Sequence, residues 1–86
     1  MKELEKSLKA LANRRRLGIL KYLKNKGEAP VGEIADQIKL SFKSISRHLS
    51  VLASVDILEK DQRSLQVFYR VADNQKPVVS KILSIL

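Results

Sequence analysis

The sequence predicts one mainly α-helical domain, residues 1–86, that carries a single β-hairpin in the order α-α-α-α-β-β-α. Three observations carry this. Apolar residues recur at helical spacing in successive short stretches along the first two thirds of the chain. Between Ile57 and Val71 the period drops to two, the spacing of a half-buried strand. With only three Gly and two Pro in 86 residues, few positions can interrupt a helix.

Taken in order, Leu4, Leu8 and Leu11 form a narrow i, i+4, i+7 stripe that predicts a first helix over about residues 2–12. One thin stripe suits a helix that packs on a partner as well as on its own core. Asn13 can cap a second helix, in which Leu17, Ile19, Leu20 and Leu23 make a broader apolar face. Gly27 can take the left-handed conformation that ends it. Pro30 fits the first turn of a short third helix, where a missing N–H costs nothing, and Val31, Ile34, Ala35 and Ile38 follow.

Ser41 is a suitable N-cap for a fourth helix that runs to about Val55. Ile57 to Lys60 and Leu65 to Val71 read as paired strands. No Gly lies between them, so a loop over Asp61 to Ser64 is expected rather than a tight two-residue turn. Asn74 and Pro77 open a last helix over about residues 75–86, which carries Val78, Val79, Ile82, Leu83, Ile85 and Leu86. That face is too apolar to stand exposed on a monomer. Something must cover it.

The bulk composition narrows the function. Seventeen Lys and Arg against nine Asp and Glu give a formal net charge of +8, which points to an anionic partner, nucleic acid before membrane. Cysteine is absent, which removes disulfides, thiolate metal sites and cysteine nucleophiles together. One His, no glycine-rich phosphate loop and no paired carboxylates leave no basis for an enzyme, a metal site or a cofactor. The apolar runs are far short of a membrane span, and the start "MKELEKSLKALA" is too charged for a signal peptide, so a cytoplasmic protein is expected. A domain this small buries only about 60–65% of its unfolded surface and gains stability by dimerising.

The fourth helix carries the strongest functional signal. A short third helix, a turn at Lys39–Leu40–Ser41 and a polar-faced fourth helix make a helix-turn-helix, and the hairpin after it stands where a winged helix has its wing. Relative to Ile45, the residues Lys43, Ser46, Arg47 and Ser50 fall roughly 100–200° around the helix, opposite Ile45, Leu49 and Leu52. Arg47 can read guanine through paired donors or hold a phosphate. Lys43 is the more natural phosphate contact, and Ser46 and Ser50 are short enough for close approach to the groove floor. A solvated face would mix in acids, yet none occurs in this helix before Asp56.

Other cations are less decisive. His48 sits at the border of the apolar face, where a phosphate contact or a packing role is expected, and there is no second His to share a metal. "NRRRLG", residues 13–18, sets three Arg at a helix start, where the dipole disfavours them. DNA phosphates would offset that, as would ion pairs to Glu3, Glu5 or Glu28, and the structural reading is preferred. Lys60 and Arg63 at the hairpin tip can reach a phosphate or the minor groove.

Three segments, "LKALANRRRLGILKYL", "VGEIADQIKLSFKSISRHLSVL" and "ILEKDQRSLQVFYRV", resemble the ArsR family of winged-helix repressors across nearly the whole chain. The most specific pieces are the S-x-S-R-H-L-x-x-L run from Ser44 to Leu52 and the F-Y-R-V strand at Phe68 to Val71. The resemblance implies a cytosolic homodimer joined through its first and last helices. Leu4, Leu8, Val78, Val79, Ile82, Leu83 and Leu86 then form the interface. It implies binding to double-stranded operator DNA through helix four, with Ser41, Phe42, Lys43, Ser44, Ser46, Arg47, His48 and Ser50, and through the wing, with Lys60 and Arg63. It also implies release by an inducer, whose nature the sequence does not give.

The departures from the family pattern are specific. Pro30 and Gly32 stand where metal sensors carry a Cys pair, and no His or Glu lies between Asp73 and Leu86, where others bind metal. Phe42 replaces a favoured Gln, which leaves contact with a thymine methyl in place of a base hydrogen bond. Ser64 and Leu65 replace the wing's Gly-Arg pair, and Arg14 stands at a frequent Pro. Against a sequence-specific regulator stands one alternative, a winged helix used for protein interaction or non-specific nucleic-acid packaging, which would show no preferred site.

Overall fold

The computed structural model describes residues 1–86 as five helices and three strands: α1 (Lys2–Leu11), α2 (Arg14–Lys26), β1 (Glu28–Pro30), α3 (Val31–Ile38), α4 (Phe42–Ser54), β2 (Leu58–Arg63), β3 (Gln66–Val71) and α5 (Pro77–Ser84). The expected helices and hairpin are present. Three details differ.

The hairpin is part of a three-stranded antiparallel sheet in the order β1-β3-β2. Residues Glu28, Ala29 and Pro30 pair with Arg70, Tyr69 and Phe68, so Pro30 ends a strand and serves as the N-cap position of α3 rather than lying in its first turn. Pro suits that place because its φ of −75° is native to extended backbone. The hairpin turn is tight. Arg63 pairs with Gln66, which leaves only Ser64 and Leu65 between the strands. Ser64 supplies the positive φ, 56°, at the first central position alone, the type II′ pattern, so a serine does what a glycine was expected to do. Finally α5 ends at Ser84, with Ile85 and Leu86 beyond the helix.

Helix ends follow their sequence signals. The Asn13 side chain accepts from the backbone N–H of Arg15 and Arg16, both at 3.0 Å, and Ser41 Oγ accepts from Ser44 N–H at 3.1 Å. Gly27 closes α2 at φ 100°, a backbone that side-chain-bearing residues rarely adopt. Lys39 turns the chain between α3 and α4 in the left-handed conformation, φ 62° and ψ 47°, and its N–H and that of Leu40 both return to Ala35 O.

The core lies where α2, α3 and α4 meet the sheet. Ile19, Leu20, Ile34, Ile45, Leu49 and Leu52 are all 0% exposed. Each such side chain contributes roughly 1.5–3 kcal/mol by leaving water, and Leu49→Ala should cost about 2–5 kcal/mol.

The outer helices divide their apolar residues between the core and the surface. α1 reaches the core through Ser7, Ala10 and Leu11, whereas Leu4 and Leu8 are 36% and 42% exposed. Small residues let α1 approach closely, so two of its three leucines point away. Ser7 Oγ is left buried without a hydrogen-bond partner. In α5, Val79 and Leu83 are buried in the chain's own core, which corrects the expectation that they wait for a partner. Val78, Ile82 and Leu86 stay half-buried and Ile85 is exposed.

Candidate nucleic-acid interface

α4 is fixed from beneath and open above. Its buried stripe of Ile45, Leu49 and Leu52 sets the roll of the helix, and the Ser41 cap sets its start. That roll exposes Lys43, Arg47 and Ser50, with Ser44, Ser46 and His48 half-buried and Ser41 and Phe42 exposed at the N-terminal end. No acidic residue occurs in its 13 residues, and neither Lys43 nor Arg47 has a carboxylate within ion-pair distance. The helix is anchored on its buried side and presents unpaired donors on the other.

His48 belongs to a different arrangement. Its Nδ1 lies 3.3 Å from an Arg16 guanidinium nitrogen, which can only donate, so Nδ1 is the acceptor and the ring proton sits on Nε2. Burial, then the charges of Arg16 and Arg15, hold the His48 pKa below its ordinary value, so at neutral pH the ring is uncharged. Arg16 also donates from Nε to Ala10 O at 2.6 Å and from a terminal nitrogen to Lys9 O at 3.2 Å. These are last-turn carbonyls of α1, where a cation meets the favourable end of the dipole. The structural reading of "NRRRLG" therefore holds for Arg16, but through carbonyls rather than acids. Glu3, Glu5 and Glu28 pair instead with Lys76, Lys9 and Arg63. Arg14 and Arg15, at the start of α2, are exposed with no acidic partner, so for them the ion pairs expected of the structural reading are not formed.

The wing differs from expectation at Arg63. Its guanidinium meets both oxygens of Glu28 at 2.7 and 2.8 Å, donates from Nε to Asp61 at 2.9 Å, and lies 4.4 Å over the Phe68 ring. The hydrogen bonds from Arg63 hold the Glu28 carboxyl below the usual carboxylate range, and the same contacts raise the Arg63 pKa further. Arg63 is thus occupied by its own sheet. Lys60, opposite Tyr69, is exposed and unpaired, and it is the free cation of β2. The clamp was missed because β1, a three-residue strand, is too short to show a period.

No group of three or more His, Cys, Asp or Glu is placed to hold a metal ion, and no helix is long and apolar enough to cross a membrane. A three-helix core, a left-handed turn into a donor-faced helix and a hairpin beside it define a winged helix-turn-helix DNA-binding domain.

Residues 13–60, from the cap of α2 into β2, match the family of bacterial regulatory proteins described as the arsR family. The chain belongs to that family, whose members are regulators and not enzymes. It is 33% identical over 76 residues to the transcriptional activator HlyU of Vibrio cholerae, covering 88% of this chain and 69% of that one. A structure of HlyU from Vibrio cholerae superposes with a TM-score of 0.82 at 30% identity, over 96% of this chain and 86% of that one. A homodimeric winged helix-turn-helix domain from Mycobacterium bovis, a possible ArsR-family regulator, gives a TM-score of 0.83 at 30% identity, covering 98% and 74%. The protein is a transcriptional regulator of the ArsR and HlyU type.

Proposed function

We propose that the protein works in the cytoplasm as a homodimeric repressor that occupies a two-fold operator, reading each half-site with α4 and flanking it with the wing. The observation that carries this is the outer face of α4, where exposed Lys43 and Arg47 stand on an acid-free helix with no ion-pair partner. Arg47 supplies the paired donors for a base edge, Lys43 a phosphate contact, and Lys60 the wing's free charge. Dimerisation is supported by the apolar surface left on the outer helices. Leu4, Leu8 and Ile85 are exposed, Val78, Ile82 and Leu86 are half covered, and Leu8 borders two grooves that reach Met1 on one side and Ile82 on the other. The Mycobacterium bovis relative is described as homodimeric, which agrees. The repressor sign follows the family resemblance. Because the Vibrio cholerae relative is named an activator, a promoter–reporter assay should read the sign directly.

The deciding experiment is selection of binding sites from random DNA, repeated with candidate inducers. A two-fold site with half-sites about one helical turn apart, or a multiple of it, is expected. Binding without a preferred sequence would instead identify a packaging protein. In parallel, Leu8→Asp should give a folded monomer by sedimentation, since Leu8 lies outside the chain's own core.

A further inference from the structure

Phe42 has no place in the core of its own chain. It is 63% exposed at the first turn of α4, while Ile45, three residues on, is 0% exposed. Together with Leu65 of the hairpin turn, 96% exposed, it lines a shallow groove of about 210 Å³ walled by Pro30, Val31 and Val67. This groove shares no residue with the apolar grooves of α1 and α5. Exposed, unpaired cations occur on the same segment: Lys43 follows Phe42, Lys39 lies three residues before it in the turn, and Arg47 lies further along the helix.

A surface that seats here must be anionic around an apolar spot. The major groove of duplex DNA has one such feature, the C5 methyl group of thymine, which is set among phosphates and polar base edges. A phenyl ring has no hydrogen-bond donor or acceptor, so it cannot read a base edge. It can only fill space against an apolar atom. The N-terminal residues of a recognition helix are the ones that meet base edges, and Phe42 is the first residue of α4.

The geometry points to Phe42 as a specificity-determining residue that selects a pyrimidine 5-methyl group in each half-site, an inference that rests on α4 being the DNA-reading helix. In unmodified DNA that base is thymine. Cytosine lacks the methyl, whereas 5-methylcytosine carries it on the same ring carbon. The contact therefore makes the protein responsive to cytosine C5 methylation: at this one position, methylated cytosine binds better than cytosine.

The test uses the full-length dimer and a site selected from random DNA. Each thymine is replaced in turn by deoxyuridine, which removes the methyl and leaves the pairing edges intact. Affinities are read by fluorescence anisotropy for wild type and Phe42→Ala. One thymine per half-site should lose about fourfold in affinity on demethylation, the value of one buried methyl-sized group. Phe42→Ala should bind the thymine and deoxyuridine probes alike, with Phe42→Leu in between. With cytosine at that position, 5-methylation should strengthen wild-type binding and leave Phe42→Ala unchanged. Circular dichroism verifies that both variants are folded. Indifference of the wild type to every deoxyuridine, or the same penalty in Phe42→Ala, overturns the assignment while the operator reading stands. If selection yields no preferred site, both fall together.

Discussion

Two surfaces of this domain carry arginines, and they use them in opposite ways. On the outer side of the sheet, Glu28, Glu59, Asp61, Arg63 and Arg70 interleave across three strands. There Arg63 meets Glu28 and Asp61, and Arg70 donates to Glu59 at 2.9 Å. On α4, Lys43 and Arg47 have no acid within reach. The net charge of +8 counts both surfaces alike, but only one leaves its charge available to a phosphate. Strand pairing brings residues far apart in sequence into ion-pair range, whereas the outer face of α4 offers Lys43 and Arg47 only their own neighbours at three and four residues, none of them acidic. Local composition therefore decides the fate of the two α4 cations, and topology decides that of the strand arginines, as it does for Arg16 of α2.

The most severe way to break the contrast is to give α4 an acid of its own. Ser50→Glu sets a carboxylate three residues from Arg47 on an exposed position. It should cost several kcal/mol of operator affinity, both by pairing with Arg47 and by facing phosphates. Anisotropy measures the loss, with circular dichroism to verify that the helix persists.

Removing the cations separately sharpens the comparison. Arg47→Ala should cost roughly 1–3 kcal/mol and relax preference at one base pair per half-site, as expected for a lost paired-donor contact. Lys43→Ala should weaken all sequences alike and lower the salt slope by about one unit per half-site. A salt titration on operator and scrambled DNA distinguishes the two. Should both variants bind like wild type, α4 is not the reading head.

The smallest effect is expected at the wing. Glu28→Gln removes the bidentate partner of Arg63 and leaves Asp61 as its acid. The salt slope should then steepen by up to about one unit per half-site, with sequence preference unchanged. An unaltered slope would mean that the wing arginine stays away from DNA even when its main partner is neutral.

These contrasts show which parts of the molecule a sequence can declare. α4 was legible because its cap, its apolar stripe and its polar face all lie within one stretch, from Ser41 to Ser54. The hairpin was legible as an alternation, but its turn was not, because Ser64 takes a positive φ that composition assigns to Gly. β1 left no periodic trace at three residues, and so the Glu28–Arg63 clamp was hidden with it. α5 posed a different difficulty. Ser80, Lys81 and Ser84 mark its outside, but the apolar arc opposite them holds Val78, Val79, Ile82 and Leu83 together, so the inward pair could not be told from the rim pair until the fold placed Val79 and Leu83 inward. α1 misleads in the opposite way: its leucine stripe is narrow and clear, yet Ser7 and Ala10 rather than Leu4 and Leu8 make the close approach.

Arg16 has a mechanical consequence. One guanidinium fastens the last carbonyls of α1 to the imidazole of His48 on α4, so the helix with the exposed leucines and the helix with the free cations share a bolt. In the proposed dimer, seamed through α1 and reading DNA with α4, the pitch of each reading head would then be set at the seam. Two such heads resemble the jaws of a caliper, with a gap that depends on how firmly the hinge is held. A change confined to the seam, far from any base, would retune which spacing of half-sites the pair can span.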